Sequence, residues 1–386
     1  LASVTDALRV FTPNAFVIRR QVGQLGFATE TEWNYYGTRN PLDPNQPTRT
    51  VEASGISVRL FDATLGGGER ILLKQFLAPA LDLGENELAV HEHLEERARS
   101  AGGQLVGGAV PQVNALLGFL RTDRLFETDS FRREWSRALP DTPPPGSGEL
   151  WLIFKWEGLA TVANFAAASQ TREWWDFDGR AERAARKCFL KVLAARALQV
   201  VGWLHGNGVV HRSIGAASLI LSTYDQRSPE RLFLKAIDLG FASYAGRLSP
   251  EDVSLAMTRG AESPLAVVPF LAKDDLHQLA YVLLEVLLMA AAASVPAGGG
   301  GGEAPPVELQ TLKRLVEDVF GGDVTGAFRE YVREEPRWAL ASELLDEGDG
   351  AGWGIVQGLV DCRDPASEAA RDVSAEALLQ SRWFED

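Results

Sequence analysis

Gly208-Val209-Val210-His211-Arg212-Ser213-Ile214-Gly215-Ala216-Ala217-Ser218-Leu219, GVVHRSIGAASL, is the stretch on which the fold turns. A glycine and two β-branched residues lead into a His-Arg pair. Farther on, Ala236 to Ala242 reads AIDLGFA and places Asp238 27 residues beyond His211. Asp-Leu-Gly by itself is a common tripeptide. Its distance from the His-Arg pair is what makes it informative.

Outward from this stretch the chain has an ordinary globular composition. Its 386 residues suit one large domain of two parts, and 46% hydrophobic with 23% charged residues is enough to build a core. The net charge is −14 and no block of Lys or Arg resembles a phosphate-binding footprint, so nucleic acid is an unpromising partner. Cys188 and Cys362 show neither CxxC spacing nor a disulfide framework; two core thiols in a reducing compartment are the expectation. The most apolar window, LAYVLLEVLLMAAAASV from Leu279, carries Glu285 and then only ten uncharged residues before Pro296, which fits a buried helix better than a membrane span. The chain begins at Leu1 without Met or a signal peptide, as a processed protein or excised domain would.

Periodicity divides the chain in two. AFVIRRQV from Ala15, GISVRLFDA from Gly55 and RILLKQFL from Arg70 alternate as strands do, the last two separated by TLGGGE, so an antiparallel sheet is expected. ENELAVHEHLEERARSA spaces Leu88, Leu94 and Ala98 along a helix. After the break ALPDTPPPGSGE comes the apolar strand LWLIFKW. Helical spacing then dominates, in ARKCFLKVLAARALQVVGWLH and DDLHQLAYVLLEVLL. The boundary is placed at 154/155. Surface insertions are expected at about 36–50, 138–148 and 296–306, the last of them Gly/Pro-rich. No internal repeat is visible.

From about Phe16 to Phe384 the chain resembles the eukaryotic protein kinases, motif by motif and in the family's order. The resemblance implies an α+β, bilobal protein kinase fold: a small β-rich N-lobe with helix αC, then a larger helical C-lobe. Lys74 in ILLKQF matches the lysine that reaches the α/β-phosphates from a rigid strand, and Glu87 the αC glutamate that aims it, with Glu85 as the alternative half a turn away. Phe154 would be the gatekeeper, and the backbone of Lys155, Trp156 and Glu157 the hinge facing adenine. His211 and Arg212 match the start of the catalytic loop. Asp238 matches the Asp of D-F-G, which holds Mg²⁺ against the phosphates. Asp275, ten residues before Glu285, has the place of the αF aspartate that braces the loop backbone. ARDVSAEALLQSRWF follows the family's final helices, with Arg371 in the place of an arginine whose partner would be Glu262.

The departures are concentrated. Ser213 stands where the catalytic Asp belongs, Gly215 where a γ-phosphate lysine belongs, and Ser218 where the Asn that binds the second metal belongs. VGQLGFATE aligns with the glycine-rich loop through Gly23 and Phe27, while Leu25 and Ala28 replace its other glycines; GISVRLFDA is an alternative second strand. His91, His93, His205, His211 and His277 show no metal-ligating spacing.

The resemblance implies ATP and Mg²⁺ as cofactors and a Ser/Thr protein kinase homologue with weak or atypical phosphotransfer. A pseudokinase acting as an interaction scaffold is the second reading, and a small-molecule phosphotransferase the third. The hinge stretch FKWEGLATVANF is similar to that of the chloroplast state-transition kinases that phosphorylate light-harvesting antenna proteins. That similarity implies a protein substrate or partner such as an antenna protein. It also implies the chloroplast stroma or the stromal side of the thylakoid, with the cytoplasm as the alternative.

Overall fold

The structure, a computed structural model, describes residues 9–12, 15–28, 53–100, 110–122, 129–140, 144–165, 180–292, 309–364, 370 and 372–385. These residues fall into two compact units, Leu1–Glu92 with Ala115–Trp156, and His93–Asn114 with Glu157–Asp386. Arg371 and the expected insertion centres at 36–50 and 296–306 lie outside the described residues.

The first unit is built on a six-stranded sheet of β1 (Arg9–Val10), β2 (Phe16–Ala28), β3 (Ala53–Leu65), β4 (Arg70–Phe76), β5 (Leu116–Arg121) and β6 (Leu150–Lys155), in the order β1-β5-β6-β4-β3-β2. Only β1 with β5 is parallel; the other pairs are antiparallel. The alternation of side chains along β4 and β6 explains how both faces are covered. Ile71, Leu73, Trp151 and Ile153 point to one face, where Trp135 of helix α2 (Asp129–Ala138) packs. There Phe61 stacks on Trp151 with ring centres 5.4 Å apart and meets Trp135 edge-on at 5.8 Å. Phe76, Leu150, Leu152 and Phe154 point to the other face, against Leu88 of helix α1 (Leu81–Ser100). Gly84 lets α1 approach: a Cβ there would lie 2.7 Å from the Phe76 ring.

The strand pairing settles which segment follows β2. GISVRLFDA lies within β3, directly paired with β2, and is therefore the second strand. Gly23 sits inside β2 opposite Leu60, and Phe27 also lies in that strand, so residues 22–28 of the stretch aligned with the glycine-rich loop are strand with bulges.

The second unit is mostly helical. After the short β7 (Ala160–Thr161) come α3 (Arg180–Gly206), β8 (Val209–Val210), β9 (Leu219–Leu221), β10 (Leu234–Ala236) and β11 (Ser243–Tyr244). They are followed by α4 (Pro250–Thr258), α5 (Val267–Ala292), α6 (Leu309–Arg314), α7 (Arg329–Glu334), α8 (Ala339–Asp361) and α9 (Ala375–Leu378). The small strands pair antiparallel, β10-β9-β7 and β11-β8. Leu279, Ala280, Leu284 and Leu288 of α5 are fully buried, as expected for that apolar window. Among the described residues one helix, Arg180–Gly206, is long and apolar enough to cross a membrane, and 56% of that stretch is buried within the fold. Helix α8 is broken at Glu347–Gly350, where Gly348, Asp349 and Gly350 take left-handed backbone angles. Trp383, from the stretch resembling the family's last helices, is buried and donates its indole N–H to the Leu344 carbonyl at 2.8 Å. The cysteines differ: Cys362 is buried, whereas Cys188 is exposed and not the core thiol that was expected.

Candidate functional site

In the first unit, Lys74 lies on the same face of β4 as Leu72 and Phe76, because it shares their parity along the strand. That is the face that α1 covers. Glu87 precedes Leu88 on the buried side of α1, and its Oε2 accepts a hydrogen bond from Lys74 Nζ at 2.7 Å. The two side chains are 7% and 2% exposed, so this is an interior ion pair. The alternative partner, Glu85, is bonded by Arg121 instead, toward solvent.

One turn beyond Glu87 is His91, which sequence reasoning did not assign. It is buried, its ring 5.5 Å from that of Phe154. Burial, reinforced by the Lys74 charge, drives its pKa down to about 3, so it stays neutral. The i+4 spacing from Glu87 was the available signal.

Phe154 is buried in β6 opposite Leu72. Of the expected hinge, the Lys155 amide donates to Ala115 O at 2.9 Å and the Trp156 amide to Arg70 O at 3.2 Å, so those two donors are committed within the sheet. Trp156 carries the Arg70 guanidinium over its ring at 3.7 Å. In the second unit, the Glu157 carboxylate accepts from Lys235 Nζ at 2.7 Å.

Also in the second unit, the loop after β8 is held from beneath by Asp275, whose side chain is 0% exposed. Its Oδ2 accepts the His211 amide at 2.6 Å and its Oδ1 the Arg212 amide at 2.7 Å. His205 Nε2 donates to Oδ2 at 3.0 Å. His211 in turn donates from Nε2 to the Ile237 carbonyl at 2.9 Å, which ties the loop to the residue before Asp238. The backbone at Arg212 and Asp238 is left-handed, φ +65° and +61°. Such conformations in non-glycine residues are sustained only by a surrounding framework, and Asp275 is that framework for Arg212.

Arg212 spreads its guanidinium between Ser243 Oγ at 3.0 Å and Asp252 Oδ1 at 2.8 Å. Asp252 also caps α4 through Ser249. Burial pushes the Asp252 carboxyl up, but the Arg212 hydrogen bond and charge outweigh it and hold the pKa below the usual range. Nothing in the sequence marked Asp252, which lies 40 residues from Arg212.

The substituted positions differ among themselves. Ser213 is exposed. Ser218 is buried, and its hydroxyl accepts the Gly215 amide at 2.9 Å while donating to the Gly215 carbonyl at 2.8 Å. Its proton and one lone pair therefore close a turn in the chain. The pairing of Ala236 with Leu219, and of the Ile237 amide with Ser218 O at 2.9 Å, brings the backbones leading to Asp238 and Ser218 side by side. Among the described residues no group of three or more His, Cys, Asp or Glu side chains is arranged to hold a metal. Asp238 would hold Mg²⁺ only together with phosphate oxygens, the manner in which that ion is commonly bound.

A Stt7 homolog from Micromonas algae, whose crystal was soaked with ATP, superposes with a TM-score of 0.51 at 19% sequence identity, over 85% of this chain and 89% of that one. No protein-family model and no curated protein matches. The likeness, with the strand and helix order above, shows the protein kinase fold.

Proposed function

We propose that this chain binds ATP with Mg²⁺ and is a Ser/Thr protein kinase homologue whose phosphoryl transfer is weak or atypical. The buried Lys74–Glu87 pair at 2.7 Å carries the reading. Sinking two charges costs several kcal/mol per ion, and apolar residues of similar volume would often stabilise a fold as well or better, so the pair needs a reason other than stability. An aimed ammonium that awaits phosphate oxygens supplies one. Asp238, set by its left-handed backbone in the second unit, supplies the carboxylate for Mg²⁺.

Phosphoryl transfer depends chiefly on positioning and electrostatic stabilisation, and the general base contributes about 10²–10⁴-fold. Replacing the base by Ser213 cripples the step; replacing the γ-phosphate lysine by Gly215 and closing Ser218 on the backbone weakens the electrostatic contribution as well. ATP·Mg²⁺ should raise the thermal midpoint of the chain, since a ligand of the native state adds RT ln(1 + [L]/Kd), about 1–3 kcal/mol at ten to a hundred times Kd. The Lys74→Met chain should show little rise. An equal rise in both, or in neither, counts against the assignment.

The committed Ser218 hydroxyl and the exposed Ser213 favour a second reading, a pseudokinase that serves as a scaffold for a protein partner. Single-turnover transfer from radiolabelled ATP separates the two. A rate raised by Ser213→Asp supports a cleft still competent for transfer, and no transfer from either chain supports the scaffold. The antenna-protein substrate and the chloroplast location, stromal or on the stromal side of the thylakoid, belong to this proposal and rest on the hinge stretch from Phe154 to Phe165.

A further inference from the structure

Three elements of the second unit converge on Arg212. Its amide is held by Asp275 Oδ1 at 2.7 Å, so the side chain starts from a braced point. The guanidinium then reaches two elements at once, Ser243 Oγ of β11 at 3.0 Å and Asp252 Oδ1 of α4 at 2.8 Å. Ser243 is buried, and β11 pairs with β8 over two residues, while Ala245–Arg247 just beyond it are exposed. A ladder that short does not hold a segment by itself.

Asp252 completes the fastening from the other side. Its Oδ2 accepts from the Ser249 hydroxyl at 3.1 Å and from the Ser249 amide at 3.3 Å, and the same hydroxyl accepts the Asp252 amide at 3.0 Å. One carboxylate oxygen thus serves the loop and the other the start of α4. Beneath the helix, Ala256 packs with Val210, Ala261, Val267 and Leu271, which gives α4 an apolar seat to go with the ionic tie at its first turn. The Arg212 and Asp252 side chains are 35% and 21% exposed. Such pairs are weak when both side chains must be ordered to make them, but here each partner is already held by a second contact.

We propose that Asp252 is a positioning residue for the loop at Ser213: acting through Arg212, it fastens the segment from Ser243 to Thr258 with a carboxylate that belongs to the chain itself. Ser213 follows Arg212 directly, so fixing the guanidinium fixes the chain where a substrate hydroxyl would be presented. The guanidinium has its anion within the chain, and ordering the segment calls for no ligand. The part played in transfer rests on the chain being a kinase homologue; the fastening does not.

Hydrogen exchange of the full chain, read by mass spectrometry, separates the ion pair from the helix cap. Asp252→Asn keeps an oxygen for the Ser249 amide and removes the charge; it should speed exchange across β11 and α4 by about threefold or more and leave α5 unchanged. Arg212→Gln should do the same. Asp252→Glu keeps the charge and should restore most of the protection, whereas Ser249→Ala removes the cap alone and should loosen the first turn of α4 while β11 stays protected. In the Ser213→Asp chain, adding Asp252→Asn should lower single-turnover transfer by about threefold or more with the affinity for ATP and Mg²⁺ held within about twofold. Exchange unchanged in Asp252→Asn, or β11 released as much by Ser249→Ala as by Asp252→Asn, would overturn the assignment. If no variant transfers phosphate, it is the kinase activity that fails, and the exchange of β11 and α4 still decides the role of Asp252.

Discussion

The strand β4 with helix α1 in the first unit, and the loop from His211 to Ser218 in the second, belong to the same fold and have fared differently. The first keeps both its scaffold and its chemical groups: Lys74 and Glu87 meet at 2.7 Å on a face built by Phe76, Leu88 and Leu152. The second keeps its scaffold, while its tip departs from the pattern that the family resemblance implies. Asp275 takes two backbone amides and a histidine, while Ser213, Gly215 and Ser218 stand where the resemblance implies Asp, Lys and Asn. Holding a loop and reacting through it are therefore separable, and what holds it is backbone hydrogen bonding that is indifferent to the side chains at its tip.

The comparison breaks if the scaffold of the loop turns out to be dispensable. Asp275→Ala strands the buried His211 amide, the part-buried Arg212 amide and the His205 donor, and should cost about 3 kcal/mol or more in chemical denaturation. A loss below about 1 kcal/mol would show that Asp275 is not the brace described.

Acid offers the next test, on the first unit. The folded chain keeps His91 neutral down to about pH 3, whereas the unfolded chain protonates it near its ordinary 6.5. The unfolded state therefore binds more protons as the pH falls, so this stability is full above about 6.5 and drains away on acidification toward 3. Between pH 7 and pH 5 the loss should be about 2 kcal/mol, and His91→Leu should remove that share of the slope. An unchanged slope in His91→Leu would contradict it.

The smallest effect is expected at Ser218. Removing a hydroxyl that closes a turn on Gly215 should cost about 1 kcal/mol in stability and leave the Mg²⁺ dependence of nucleotide binding unaltered. A shift in Mg²⁺ dependence would support Ser218 as a metal ligand.

Much of this was legible in the sequence, for reasons that differ by residue. The places of Lys74, His211 and Asp238 in the fold were legible because motif spacing puts Lys74 within β4 and the other two just beyond short strands. Asp275 was found because its separation from Glu285 runs along a single helix. The choice between Glu85 and Glu87 was half a turn of helix, and it is Glu87 that meets Lys74 while Glu85 meets Arg121. The second strand stayed ambiguous because a long polar segment separates β2 from β3, and only their register names the partner. Asp252 was invisible, because its pairing with Arg212 joins elements with no shared periodicity. The turn at Ser218 follows a local habit of serine hydroxyls, yet family position drew attention to metal instead.

We propose that the Lys74–Glu87 pair and Asp238 contribute to nucleotide binding. Calorimetric titration of ATP with Mg²⁺ into the chain tests this most directly. Saturable binding, weakened by Lys74→Met and by Asp238→Ala but not by Ser213→Ala, is the predicted result. No heat of binding up to millimolar nucleotide, or binding indifferent to Lys74 and Asp238, would contradict it.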